Sequence, residues 1–193
     1  MQLILGSQSP RRKEILGYFS IPFQQVPSNF NENDISFSGD PKVYVSTLAR
    51  AKAKKLLPLY PEATILTADT IVYRKGVVYP KPKNQQEAFK ILEELSGKWH
   101  CVLTSVTIRN SQQEFFETEQ TQVLFNTLLP KQIRSYQNAI TITDKAGAYA
   151  IQGAGSIIYK KIEGCYYNVM GLPINAVRRL LSQSGIDLWD YIN

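Results

Sequence analysis

The chain has 193 residues, 44% hydrophobic and 20% charged, a length that predicts one domain and a composition that excludes a disordered or coiled-coil protein. No apolar stretch approaches the roughly 18–20 residues of a membrane span, no basic-then-apolar signal region opens the chain, and Cys101 and Cys165 form no C-x-x-C pair, so the sequence reads as a soluble, cytoplasmic protein without a zinc site or disulfide framework. The 22 Lys and Arg against 16 Asp and Glu leave a net charge of +6, which asks for an anionic partner and keeps nucleic acid, a membrane surface and a nucleotide all open.

Leu3-Ile4-Leu5 predicts a short strand, and Ser9-Pro10 opens a helix expected through Phe19. Asp40-Pro41 starts a second helix through Leu57, with Tyr44, Val45, Leu48, Ala49 and Leu56 on one stripe. Ala63–Tyr73 reads as a β-branched strand, Arg74-Lys75-Gly76 as a turn and Val77–Tyr79 as its hairpin partner. Asn84 caps a third helix that Ser96-Gly97 ends, and Trp99–Arg109 and Glu114–Leu124 form two strands around Asn110-Ser111. Pro130–Tyr136 and Pro173–Gln183 are later helices, while Asp144–Gly171, rich in Gly and Tyr, has the texture of a functional loop. No linker or repeat divides residues 1–193, and helices interleaved with hairpins predict one α/β domain with a mixed sheet.

Three features carry chemistry. Arg11, Arg12 and Lys13 crowd the first turn of the first helix, where positive charge opposes the helix dipole at about 0.3–1 kcal/mol per exposed group. A phosphate would resolve that conflict, with Ser7 adding a hydroxyl and Arg11 and Arg12 two guanidinium forks; the other reading is a solvated basic turn. Asp69 shares a strand face with Ile65 and Ile71, and a buried carboxylate is costly unless paired, so it reads as a structural acceptor, a metal ligand or a base for water. Lys52 lies on the apolar stripe of its helix and either snorkels out or delivers an ammonium to a cleft floor. Lys81, between Pro80 and Pro82, is a cation on a stiff loop, and Glu32 taken alone is part of a polar turn. His100, the sole histidine, reads as a strand residue, and no Ser/His/Asp or Cys/His set accompanies it. A hydrolase built from this inventory would use water, a carboxylate and a hard metal such as Mg²⁺.

Ser7-Gln8-Ser9-Pro10-Arg11-Arg12-Lys13-Glu14, Tyr44 through Ala53, Ala68-Asp69-Thr70, Lys81-Pro82, Ser96-Gly97, Asp144 through Tyr149, Ile151-Gln152-Gly153 and Asn168 through Pro173 together resemble the Maf family, in family order and over almost the whole chain. The resemblance implies an inosine-triphosphatase-like fold, with an elongated mixed sheet, flanking helices and two lobes around a central cleft. It also implies hydrolysis of a nucleoside triphosphate to the monophosphate and pyrophosphate with Mg²⁺, or alternatively Mn²⁺. By motif, Asp69 would activate water in or near the metal shell, Glu32 would help bind the metal, and Ser7, Arg11, Lys52 and Lys81 would hold the triphosphate. Specificity would rest on Arg12, Thr70 and Gln152, the combination of the branch acting on dTTP and UTP rather than 7-methyl-GTP. A physical rationale exists for Gln152, whose amide offers a donor and an acceptor to the O4/N3–H edge of uracil or thymine. Asn31, Tyr79-Pro80 and Ala150 depart from the family pattern without removing a catalytic group.

The same resemblance makes a homodimer reasonable and carries two rival readings, a regulatory or binding protein of septum formation and a 7-methyl-GTP pyrophosphatase. Nucleic-acid binding is the third, and its basic residues are not interleaved with aromatics in any recognised module.

Overall fold

The computed structural model describes residues 2–142 and 144–192. Its strands are Leu3–Gly6 (β1), Phe23–Val26 (β2), Thr64–Arg74 (β3), Val77–Tyr79 (β4), Trp99–Arg109 (β5), Glu114–Phe125 (β6) and Tyr159–Glu163 (β7). Its helices are Pro10–Leu16 (α1), Pro41–Leu56 (α2), Gln85–Leu95 (α3), Pro130–Ala139 (α4), Tyr166–Met170 (α5) and Ile174–Gln183 (α6). The strands form one seven-stranded mixed sheet in the order β2-β1-β3-β5-β6-β7, with β4 also on β3. Pairing is parallel in β2-β1-β3 and antiparallel elsewhere. The α/β reading with a mixed sheet therefore holds.

The two faces of β3 meet different layers. On one face Ile65 and Ile71 pack with residues of α2, and Thr67 Oγ1 donates to the Ala49 carbonyl of that helix at 2.7 Å. On the other, Leu66, Ala68 and Val72 join the main core with the apolar faces of α3 and α6. α3 illustrates how that core is assembled: Asn84 caps its Glu87 N–H, and Ala88, Ile91, Leu92 and Leu95 are buried at helical spacing. Each fully buried leucine there is worth about 1.5–3 kcal/mol relative to exposure.

One irregularity positions the site. The β1 ladder on β3 ends at the Leu5–Leu66 pair, and the β4 ladder begins at Val72–Tyr79. Between them no strand among the described residues lies beside residues 67–71 of β3 on that edge, whereas β5 pairs without a break along the other.

The first helix is shorter than its sequence suggests. It stops at Leu16, where the Gly17 N–H caps the carbonyls of Lys13 and Ile15, and Tyr18 and Phe19 lie beyond it. α2 ends at Leu56 and tightens into a 3₁₀ turn over Leu57–Leu59, while α4 runs on to Ala139. β2 is a half-polar edge strand with weak alternation, which hides it in the sequence. The segment 144–171 holds short 3₁₀ turns, β7 and α5.

Candidate active site

The gap in the β3 ladder opens into a cleft of about 480 Å³. Its wall includes all nine residues singled out from the sequence: Ser7, Arg11, Arg12, Glu32, Lys52, Asp69, Thr70, Lys81 and Gln152. Consecutive residues of β3 point to opposite faces, so Asp69 and Thr70 divide the cleft into a charged side and a neutral side.

On the charged side, Asp69 is 5% exposed and both its oxygens are engaged. Oδ1 accepts its neighbour Thr70's N–H at 2.8 Å, and Oδ2 is in contact with Lys52 Nζ. Lys52 also donates to Glu32 Oε1 at 2.7 Å. Its ammonium is thus turned inward along the stripe of Leu48, Ala49 and Leu56 and does not snorkel to the surface. Glu32 sits in a 3₁₀ turn whose preceding Asn31 side chain accepts from the Asn33 N–H, and Lys81 Nζ lies 3.9 Å from its carboxylate. Burial alone would raise the Glu32 carboxyl; the charge and hydrogen bond of Lys52, with Lys81 and Arg12 further off, outweigh it and hold the group below its ordinary range.

On the neutral side Arg12 is committed to the protein itself. Nε donates to the Gly171 carbonyl at 2.7 Å, Nη1 to the Ala68 carbonyl at 2.8 Å and to Ser7 Oγ at 3.4 Å, and Nη2 to Thr70 Oγ1 at 3.0 Å. Four of the five N–H groups are used, so the phosphate fork expected of Arg12 at the helix start is turned onto the open edge of β3 instead. Burial lowers its pKa, partly offset by the Asp69 charge. Ser7 Oγ also accepts the Ser9 N–H at 3.1 Å, and Ser9 caps α1 by accepting the Arg12 N–H. Gly171, at φ +101°, leaves room that a Cβ would take: that atom would lie 3.2 Å from Thr70 Oγ1.

The loop after α4 closes the third wall. Arg11 pairs with Asp144 at 3.2 Å, and Lys145 donates to the same carboxylate at 2.6 Å. Burial would raise Asp144, but the hydrogen bond and charge of Lys145 and then Arg11 lower it on balance. Asp144 and Lys145 line the cleft; the sequence places them in a family-like segment of a Gly-rich loop but assigns neither a role. Gln152 lines the same wall, and among the described residues its side-chain amide has no hydrogen-bond partner. The loop is tied to the Lys81 loop, since the Gly147 N–H donates to the Pro80 carbonyl at 3.2 Å. Tyr149 also faces the cleft, and behind it His100 Nε2 lies 2.9 Å from the phenol oxygen. Burial lowers the His100 pKa to about 4, which keeps it neutral.

Among the described residues no three His, Cys, Asp or Glu side chains gather as a metal cage. Glu32 and Asp69 nevertheless converge on a single ammonium. Two carboxylates suit an ion such as Mg²⁺, which keeps several waters and takes further oxygens from substrate phosphates. Among the described residues no helix is long and apolar enough to cross a membrane.

A family model described as Maf-like protein matches residues 2–184. The chain is 45% identical to the dTTP/UTP pyrophosphatase of Chlamydia caviae over 192 residues, covering 99% of this chain and 98% of that one. It is 44% identical to the dTTP/UTP pyrophosphatase of Clostridium perfringens, with 97% and 100% covered. Among solved structures, the Staphylococcus aureus Ham1 protein superposes with a TM-score of 0.50 at 10% identity, over 95% of this chain and all of that one, a likeness of fold.

Proposed function

The chain belongs to the Maf family, and from that premise we propose that it is a pyrophosphatase that hydrolyses dTTP and UTP to the monophosphate and pyrophosphate. The observation that carries this reading is the cleft wall at Asp69: a buried carboxylate beside Lys52, with Glu32, Lys81 and Arg11 placed around the same opening.

In this reading the triphosphate enters along Lys52, Lys81, Arg11 and the Ser7 hydroxyl, which offset its charge. Asp69 accepts a proton from the attacking water, a new P–O bond forms at the α-phosphorus, and the bridging bond to the β-phosphate breaks. Pyrophosphate leaves with the bridging oxygen. Glu32 and Asp69 would hold a divalent cation, Mg²⁺ in preference to Mn²⁺, which when bound supplies charge stabilisation to the phosphates. Arg12, Thr70 and Gln152 would set the base preference, Arg12 through its hydrogen bond to the Thr70 hydroxyl. The free thiols of Cys101 and Cys165 suit a reducing cytoplasm, where the enzyme would clear surplus or modified pyrimidine nucleotides.

Product analysis tests the proposal. With UTP and Mg²⁺ the protein should release UMP and pyrophosphate, and Asp69→Asn should lower turnover by about 10²–10⁴-fold. Release of single phosphate groups would overturn it.

A further inference from the structure

We propose that Thr104, a fully buried residue of β5 outside the cleft wall, is a positioning residue for base selection: it fixes the hydroxyl of Thr70 as a hydrogen-bond acceptor toward the nucleotide. The inference rests on the reading of the cleft as a pyrimidine nucleotide site.

Thr70 and Thr104 stand directly opposite in the antiparallel β3–β5 ladder, and their hydroxyl oxygens are 2.9 Å apart. Thr104 Oγ1 is also 2.9 Å from the Asn168 carbonyl, and Arg12 Nη2 is 3.0 Å from Thr70 Oγ1. Only one set of proton positions satisfies all three contacts. A carbonyl can only accept, so the single Thr104 hydrogen goes to Asn168. A guanidinium can only donate, so Thr70 accepts from Arg12. Between the hydroxyls Thr70 must then be the donor, and its one hydrogen is spent on Thr104. What Thr70, which lines the cleft, retains is a single lone pair.

That lone pair complements the ring N3–H of uracil or thymine and opposes cytosine, whose N3 presents a lone pair of its own. A polar site whose direction is fixed rejects the mismatched edge more strongly than one free to rotate, because the wrong partner leaves a buried group unpaired. Three features hold the chain in place: Arg12 is anchored at the Ala68 and Gly171 carbonyls, the Asn168 carbonyl also receives the Gly171 N–H at 3.0 Å, and the Asn168 side chain is tied by Nδ2 to the Val102 carbonyl at 3.0 Å. Without Thr104 the Thr70 hydrogen is released and can turn toward the base.

The test compares wild type, Thr104→Val and Thr104→Ser on UTP and CTP, reading the ratio of kcat/KM and, separately, the ratio of Kd for the α,β-methylene analogues of the two nucleotides. The valine variant keeps the shape and loses the hydroxyl, so both UTP:CTP ratios should fall by about tenfold, a difference of about 1.4 kcal/mol, whereas serine should hold them within about twofold. Should Thr104→Val fold poorly, Thr104→Ala is expected to show the same fall. A folded hydroxyl-free variant with unchanged ratios, a serine variant that falls as far as valine, or a wild type that takes both bases equally would overturn the proposal. Preferential binding of the UTP analogue without pyrophosphate release would defeat the catalytic reading alone; pyrophosphate release with unchanged ratios in the valine variant would defeat the role of Thr104 alone.

Discussion

The two sides of the cleft use the same strand to opposite ends. Around Asp69 the groups carry charge and answer one another directly, through Lys52, Glu32 and Lys81. Around Thr70 the contacts run through neutral oxygens of Thr104, Asn168 and Gly171, and the charge of Arg12 is spent on carbonyls and hydroxyls. A charged cluster can exchange one cation for another with little change in geometry. A chain of directed hydrogen bonds cannot, and it therefore suits recognition of one edge over another. In the proposed function, adjacent residues on one strand would place chemistry on one side and selection on the other.

The contrast can be broken most severely at Lys52. Lys52→Met leaves the buried Asp69 carboxylate without its ammonium and should cost about 3–5 kcal/mol in urea unfolding, with Mg²⁺ restoring more stability to the variant than to wild type. If Mg²⁺ restores nothing, the two carboxylates do not share a cation. Next comes His100, whose folded pKa of about 4 lies below its ordinary 6.5. The unfolded chain binds the extra proton first, so stability falls as pH drops from 6.5 through 4, by about 3 kcal/mol, and His100→Gln should flatten that slope in thermal melts. Arg12→Lys, which cannot reach all of its acceptors, should cost about 2 kcal/mol and lower the melting temperature by about 4–8 °C. The smallest effect belongs to Glu32, half-exposed and held below its ordinary value of 4.5. Its contribution is complete above that value and is lost as pH falls below it through the depressed one, so Glu32→Gln should show a shallower acid decline in stability below about pH 4.5.

Much of this site can be read from the sequence because its signals are local. Lys52 stands out against Leu48 and Leu56 at a spacing of one helical turn, and Asp69 against the alternation of Ile65 and Ile71. The ends and partners of elements depend on distant residues and are harder to see. Gly17 stops α1 before Phe19, β2 gains its identity only from pairing with β1, and β7 and α5 lie in a stretch whose Gly and Tyr content resembles a loop. The same holds for Arg12. Its position at a helix start suggests a phosphate fork, yet its acceptors at Ala68 and Gly171 come from remote parts of the chain. Thr104 carried no signal at all, since one threonine in a Val- and Thr-rich strand gains meaning only from the register that sets it opposite Thr70.

The unpaired edge of β3 also bears on solubility. A strand edge with free N–H and C=O groups is a template on which another chain can add itself and aggregate. On this edge no strand among the described residues adjoins residues 67–71, but the Ala68 carbonyl is taken by Arg12 and the Thr70 N–H by Asp69. Side chains thus finish the ladder that backbone leaves open. Substitutions at Arg12 or Asp69 should consequently be judged for self-association as well as for activity, because each uncaps one rung of a ready-made docking edge.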